Sequence, residues 1–405
     1  MKLLKSFYHY FLAWLGDKIY RQPSRKLHVL GVTGTKGKST VIELINAILE
    51  AAGKKTALMS SVRLKIGEIN NPNLTGMTMP GRFFIQRFLS WAVDKGCEYA
   101  LIEVTSQGVL QHRHKFIDFD SAIINNLEPE HIEAHGSFEN YRNSKVKFFA
   151  DVASASKKNQ KRFFVNSDTR DYQYFVDAAK NKGEILFYNR KDFSKVKIKT
   201  KLIGDFNIEN IAAAMAFARS VGIDWDTIKA AVESFDGVPG RLEFVQRVPF
   251  SVIIDYAHTP DSLEKVYKAL SRQVARRNKS SNLICVLGSA GGGRDIWKRP
   301  VMGEIASRYC DKVILTNEDP FDEDPREIMD EIAAGIRSED KKKVKKIINR
   351  KEAIRAAIKG AKKGDTVIIT GKGSEPYMRV AGGKKVPWNE REMVLRILNN
   401  EKIEI

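Results

Sequence analysis

The chain has 405 residues, 43% of them hydrophobic, enough for two or three cores and too long for one small domain. Its formal charge of +19 admits an acidic partner. The basic clusters at 157–158, 161–162, 272–279 and 341–346 lack interleaved aromatics, however, so they read as solvated faces and exclude a specific nucleic-acid surface. No run approaches about 18 consecutive apolar residues. Three cysteines far apart in sequence, Cys97, Cys285 and Cys310, fit a reduced, cytoplasmic protein without structural zinc.

Residues 1–20 carry Leu3, Leu4, Phe7, Tyr8, Phe11, Leu12, Trp14, Leu15 and Ile19 together with Lys2, Lys5 and Lys18. Such a basic, aromatic helix suits peripheral contact with a membrane surface or packing on its own domain, and it has no secretory cleavage site. The apolar run 27–30 leads into Gly31-Val32-Thr33-Gly34-Thr35-Lys36-Gly37-Lys38-Ser39-Thr40, and a helical pattern follows through Val41, Leu44, Ile45 and Ile48. Strand, glycine loop and helix N-terminus together aim backbone N–H groups at a triphosphate. Lys38 is expected on the β- and γ-phosphates and Ser39 on Mg²⁺, although Val32 stands where the generic frame has its first glycine.

Further strands are expected at 56–60, 99–104, 121–125, 163–166, 252–255, 283–287, 312–315 and 366–369, with helices between them at 83–95, 208–221, 262–271 and 326–336. Gly237-Val238-Pro239-Gly240 is the best linker signal. The expected fold is therefore α/β: an arm at 1–26, a P-loop ATPase central domain at 27–240, and a C-terminal Rossmann-like α/β domain at 241–405. Glu103, at the end of a buried strand, is placed to complete a metal site beside the phosphate loop. His131 and His135 stand among Glu128, Glu130 and Glu133 just after another strand, a setting for a metal or phosphate role.

These motifs, with Tyr141-x-x-Ser144-Lys145, Gly204-Asp205-Phe206-Asn207, Pro239-Gly240-Arg241-Leu242-Glu243, Asp255-Tyr256-Ala257-His258-Thr259-Pro260, Gly293-Arg294-Asp295-x-x-Lys298-Arg299-Pro300 and Gly371-Lys372-Gly373-Ser374-Glu375, resemble the Mur ligases in family order from about residue 27 to the end. The likeness is greatest to the branch that adds the third residue of the cell-wall stem peptide. It implies an ATP-dependent ligase that joins a free amino acid, a diamino acid, to a muramoyl-L-alanyl-D-glutamate precursor through an acyl-phosphate. By the same resemblance, Gly34 to Thr40, Asn207, Arg241, Asp255 and His258 hold ATP. Ser39, Glu103, His131 and a carbamate on Lys145 hold two Mg²⁺ ions. Thr78, Ser106, Gln111 and Arg113 hold the muramoyl dipeptide, and Arg294, Gly371 and Glu375 the incoming amino acid.

Two departures stand out. The chain reaches its phosphate loop almost at once, which leaves the family's UDP-holding N-terminal domain no room. And Glu318-Asp319-Pro320-Phe321 replaces a motif whose arginine pairs with the distal carboxylate of diaminopimelate. With Phe321 there, and Glu318, Asp319 and Glu375 giving an acidic pocket, lysine or ornithine is the expected substrate. A folyl- or polyglutamate ligase and a non-catalytic ATP-binding scaffold are the alternatives; intact Lys38, Glu103, His131 and Lys145 argue against the scaffold.

Overall fold

The structure is a computed structural model that describes residues 2–130, 132–277, 280–293 and 295–399. It divides into two compact units, the first built from 1–201 and 206–236, the second from 202–205 and 237–405.

In the first unit the strands are β1 His28–Thr33, β2 Thr56–Met59, β3 Arg63–Ile66, β4 Ile69–Pro72, β5 Tyr99–Glu103, β6 Ser121–Ile124, β7 Arg162–Asn166 and β8 Glu184–Tyr188. The helices are α1 Lys2–Ile19, α2 Lys38–Ala51, α3 Arg82–Asp94, α4 Ser106–Leu110, α5 Ile132–His135, α6 Phe138–Ala155, α7 Gln173–Ala179, α8 Arg190–Ser194, α9 Asp205–Ser220 and α10 Trp225–Ser234. The sheet order is β4-β3-β2-β5-β1-β6-β7-β8. From β2 to β8 every pairing is parallel, and β3 and β4 add an antiparallel edge. Central strands are apolar through their middles because helices cover both faces, so Val29, Leu30, Val32, Ile123 and Ile124 are fully buried. The helix α1 packs on α3, with Gly16 lying on Phe83 and Gln86.

The second unit holds β9 Glu243–Gln246, β10 Ser251–Asp255, β11 Leu283–Leu287, β12 Lys312–Leu315, β13 Val344–Lys346 and β14 Thr366–Thr370, ordered β13-β12-β11-β14-β10-β9, with only β9 antiparallel. Its helices are α11 Pro260–Arg277, α12 Lys298–Tyr309, α13 Pro325–Ala334, α14 Arg350–Lys359 and α15 Glu390–Leu398. A hairpin, β15 Tyr377–Val380 and β16 Lys384–Pro387, follows β14. Both sheets fit the expected α/β class. The reading of three separate thiols needs correction: Cys285 on β11 and Cys310 after α12 are joined in a disulfide, and only Cys97 is free. Separation in sequence misled there, because α12 returns the chain to the strand beside β11. No helix among the described residues is long and apolar enough to cross a membrane.

Gly31 on β1 faces two rings: a Cβ there would strike Phe148 and come within 2.9 Å of Phe119. Overpacking of this kind costs about 1–3 kcal/mol. Gly31→Ala is therefore expected to lower the urea midpoint of the first unit's transition with little change in slope.

Candidate active site

The chain turns from β1 into α2 within residues 34–37. Gly37 allows it: its φ is 78°, and a Cβ there would strike the amides of Asn125 and Asn210. Those amides hold the loop from behind. Asn126 Oδ1 accepts from the N–H groups of Thr35 (3.1 Å) and Lys36 (2.8 Å). Asn125 Nδ2 donates to Lys36 O and to Asn210 Oδ1, and Asn210 in turn donates to Asn207. Asn207 thus braces the loop's supporting chain of amides. The first-turn N–H groups of α2, including that of the buried Thr40, lack intrahelical acceptors and suit an anion.

Three of the expected catalytic groups meet at this loop. Lys38 Nζ curls back to the carbonyls of Gly34 and Thr35, 3.0 Å each. Lys145, on the buried face of α6, donates to Gly34 O at 2.8 Å and lies 4.6 Å from the Tyr141 ring centre. Tyr141 in turn donates to Thr35 Oγ1. Burial, then the charge of Lys38, holds the Lys145 amine well below the usual lysine range. Glu103 is the register partner of Val32, and this pairing delivers its carboxylate to the loop. Glu103 Oε2 accepts from Ser39 Oγ at 3.0 Å and from the Ser61 N–H at 2.9 Å. Lys36 pairs with Glu130. His131 and Arg294 lie outside the described residues, and among the described residues no three His, Cys, Asp or Glu side chains group as a metal site.

A second cluster surrounds Gln111. Arg113 Nη2 donates to its side-chain oxygen at 2.7 Å, while Arg82 donates to its carbonyl. Arg113 also donates to Met79 O, beside the half-buried Thr78. Ser106, at the start of α4, meets His135 Nε2 at 3.1 Å. Sequence reasoning missed Arg82. Neither guanidinium has a carboxylate partner among the described residues, and each keeps a buried Nε without an acceptor. Burial lowers both pKa values, and for Arg82 the charge of Arg113 adds to the effect.

The second unit gathers its expected residues at the ends of β10, β12 and β14. Both Asp255 oxygens accept backbone N–H groups, from Leu242 and Ala257, each at 2.7 Å. His258 Nδ1 lies 2.7 Å from Tyr256 O, and Arg241 stacks 4.3 Å from the Tyr256 ring centre. The expected acidic pocket is corrected here. Lys372, fully buried and overlooked in its own motif, bridges Asp319 (2.8 Å) and Glu375 (2.5 Å). Buried Arg350 holds Glu390 and the carbonyls of Thr370 and Asn317. Glu318 is left with a buried Oε2 that has no partner among the described residues, lying against Gly371. Burial pushes its carboxyl up to about 7, against the pull of Arg350 and Lys372.

Residues 32–196 match the Mur ligase middle domain and residues 240–373 the Mur ligase glutamate ligase domain. The chain is 37% identical over 405 residues to UDP-N-acetylmuramoyl-L-alanyl-D-glutamate--2,6-diaminopimelate ligase of Geobacillus kaustophilus, an alignment covering 94% of this chain and 80% of that protein. The chain belongs to the Mur ligase family. A second relative of this Mur ligase is the UDP-N-acetylmuramyl-tripeptide synthetase of Roseiflexus sp., 36% identical with 96% and 81% of the two chains covered. A solved diaminopimelate ligase structure superposes with a TM-score of 0.61 at 28% identity, covering 92% of this chain and 78% of that one. Mycobacterium tuberculosis folylpolyglutamate synthase complexed with ADP gives 0.68 at 16% identity, covering 91% and 92%, a likeness of fold alone.

Glu318 supplies a pH test. Its folded value of about 7 lies above its ordinary 4.5, so the folded state binds more protons across that window. Stability contributed by the neutral carboxyl is present below pH 4.5 and is lost as pH rises through 7, about 3 kcal/mol in all. Glu318→Gln in this Mur ligase is expected to gain stability relative to the parent between pH 5 and 8, read from urea midpoints. A constant difference across that range would show that Glu318 ionises normally.

Proposed function

We propose that this Mur ligase joins a free diamino acid to a muramoyl-L-alanyl-D-glutamate-type precursor through an acyl-phosphate, with ATP converted to ADP and phosphate. The observation that carries this reading is the convergence of Lys38, Lys145 and the Ser39–Glu103 pair on one glycine loop. The relatives named as diaminopimelate ligases or tripeptide synthetases support it. The folyl- or polyglutamate alternative has only a likeness of fold behind it.

In this reading residues 34–40 cradle the triphosphate, with Asn207, Arg241, Asp255 and His258 as further nucleotide contacts. Arg113, Gln111, Ser106 and Thr78, joined by Arg82, hold the anionic acceptor. A carboxylate oxygen of the acceptor attacks the γ-phosphorus and ADP leaves; the amino acid's neutral amine then attacks the acyl carbon, and phosphate departs. Magnesium, when bound, offsets triphosphate charge, and the Ser39 hydroxyl and Glu103 carboxylate are the oxygen donors suited to one ion. His131 and Lys145 are the proposed ligands of a second. Lys145 fits that role only as a carbamate, formed when its neutral amine attacks carbon dioxide and releases a proton. Its buried, lowered-pKa amine is the reactive form.

The partner proposed for α1 is an anionic membrane surface. Its inner face packs on α3, while Phe7, Phe11 and Trp14, spaced for one helical face, are 71%, 44% and 40% exposed beside exposed Lys18 and Arg21.

Lys145→Ala is expected to lower ADP release at least about a hundredfold, as loss of a positioned charge-stabilising group does, with partial rescue by short carboxylic acids. Intact-mass measurement should find one carbon dioxide on the parent; a fully active alanine variant would refute the carbamate. For α1, a Phe7→Ser/Trp14→Ser variant is expected to lose flotation with phosphatidylglycerol vesicles while keeping ATP turnover. Equal flotation of parent and variant would leave α1 as a packing helix only.

A further inference from the structure

Resting on the ligase reading, we infer that Arg379 is the residue that selects the amino acid, by taking the distal carboxylate of a diamino dicarboxylic acid. Phe321 at the motif's arginine position argued for lysine or ornithine, on the ground that a carboxylate beside the ring would find no cation. The structure places one there. Arg379, on the hairpin β15–β16, sets its guanidinium carbon 5.7 Å from the Phe321 ring centre and equally far from that of Tyr377.

The hairpin is tied to the turn that carries Phe321 at several points. The Arg379 N–H donates to Asp319 Oδ1 at 3.0 Å, and the Phe321 N–H donates to Arg379 O at 3.3 Å. Phe321 and Val380 form a bridge, and the Gly382 N–H donates to Asp322 at 2.7 Å. Phe321 itself is held at φ 54°, a backbone conformation that a bulky residue rarely adopts, with its ring against Gly292. An apolar ring at this position therefore serves as a platform for a cation that comes from another segment.

What remains unmatched in the pocket is the second observation. Asp319 and Glu375 are occupied by Lys372. Glu318 keeps a buried oxygen without a partner, and the half-buried Arg379 guanidinium has no hydrogen bond or ion pair among the described residues. The open Glu318 carboxyl and Arg379 guanidinium fit a zwitterion, an ammonium beside a carboxylate. The far end of 2,6-diaminopimelate is such a group, whereas the far end of lysine or ornithine is an ammonium alone and would leave Arg379 unanswered. Arginine binds carboxylates in bidentate fashion, so the choice is made by geometry as well as charge.

The test is ADP release by the full chain with a muramoyl-L-alanyl-D-glutamate acceptor, with meso-diaminopimelate and L-lysine as alternative amino acids. The parent is expected to prefer diaminopimelate by at least about tenfold in kcat/KM. Arg379→Ala should raise KM for diaminopimelate about a hundredfold, the scale of losing one partner of a buried charge pair, and raise KM for L-lysine far less. Arg379→Ala with Phe321→Arg, which moves the cation back to the turn, should restore diaminopimelate use. A parent that prefers lysine would overturn the assignment, as would an Arg379→Ala variant that loses both amino acids equally. No ADP release by the parent with either amino acid would overturn the ligase reading itself.

Discussion

The parallel register of β1 between β5 and β6 sets the chemistry of the first unit. Pairing Val32 with Glu103 brings a buried carboxylate level with the loop that follows β1. Pairing Thr33 with Ile124 brings Asn125 and Asn126 to the loop's other side. The amides then hold the backbone of Thr35 and Lys36, and Lys145 closes on Gly34. A slip along β1 would carry the loop away from Glu103 and from the Asn125 and Asn126 amides together, because both strand pairings set where they stand. Preorganisation of this kind lets donors face developing charge without rearrangement during reaction.

Much of this was legible in the sequence because the groups sit at strand ends, where a run of apolar residues stops and chemistry begins. Glu103 and Gly34 both announce themselves that way. The central strands were legible for the same reason, whereas the antiparallel edge β3–β4 and the hairpin β15–β16 are short, polar and without strong periodicity. Charge pairing was the harder matter. Lys372 neutralises Asp319 from 53 residues away, and Arg82 meets Gln111 from 29 away. Motif reading assigns each residue a task singly, so a carboxylate cluster reads as acidic until its lysine is found. The Cys285–Cys310 bridge was hidden likewise, since only the fold shows that the end of α12 returns to β11.

Phe321 shows how the two kinds of information combine. Read alone, it removes a cation from the pocket; read with the hairpin, it supplies the face on which Arg379 rests. The left-handed backbone at Phe321 persists because the Arg379 carbonyl and the Val380 bridge hold the turn. The substitution therefore transfers a function between segments.

The two units also treat buried charge differently, and their proposed ligands account for it. Around Gln111 the first unit leaves Arg82 and Arg113 donating only to neutral groups among the described residues, and beside the phosphate loop burial drives the Lys145 amine toward its neutral form. Like charges left side by side are costly in an empty site and favourable once an anion arrives, which suits a triphosphate and a carboxylate acceptor. In the second unit the most deeply buried cations of the pocket are already answered, Lys372 by two carboxylates and Arg350 by Glu390. Such a site gains little from net charge and must discriminate through the few groups left open. Glu318 and Arg379 are the groups left open, so a ligand that offers an ammonium to one and a carboxylate to the other answers both, and any ligand lacking one of the two groups leaves one unanswered.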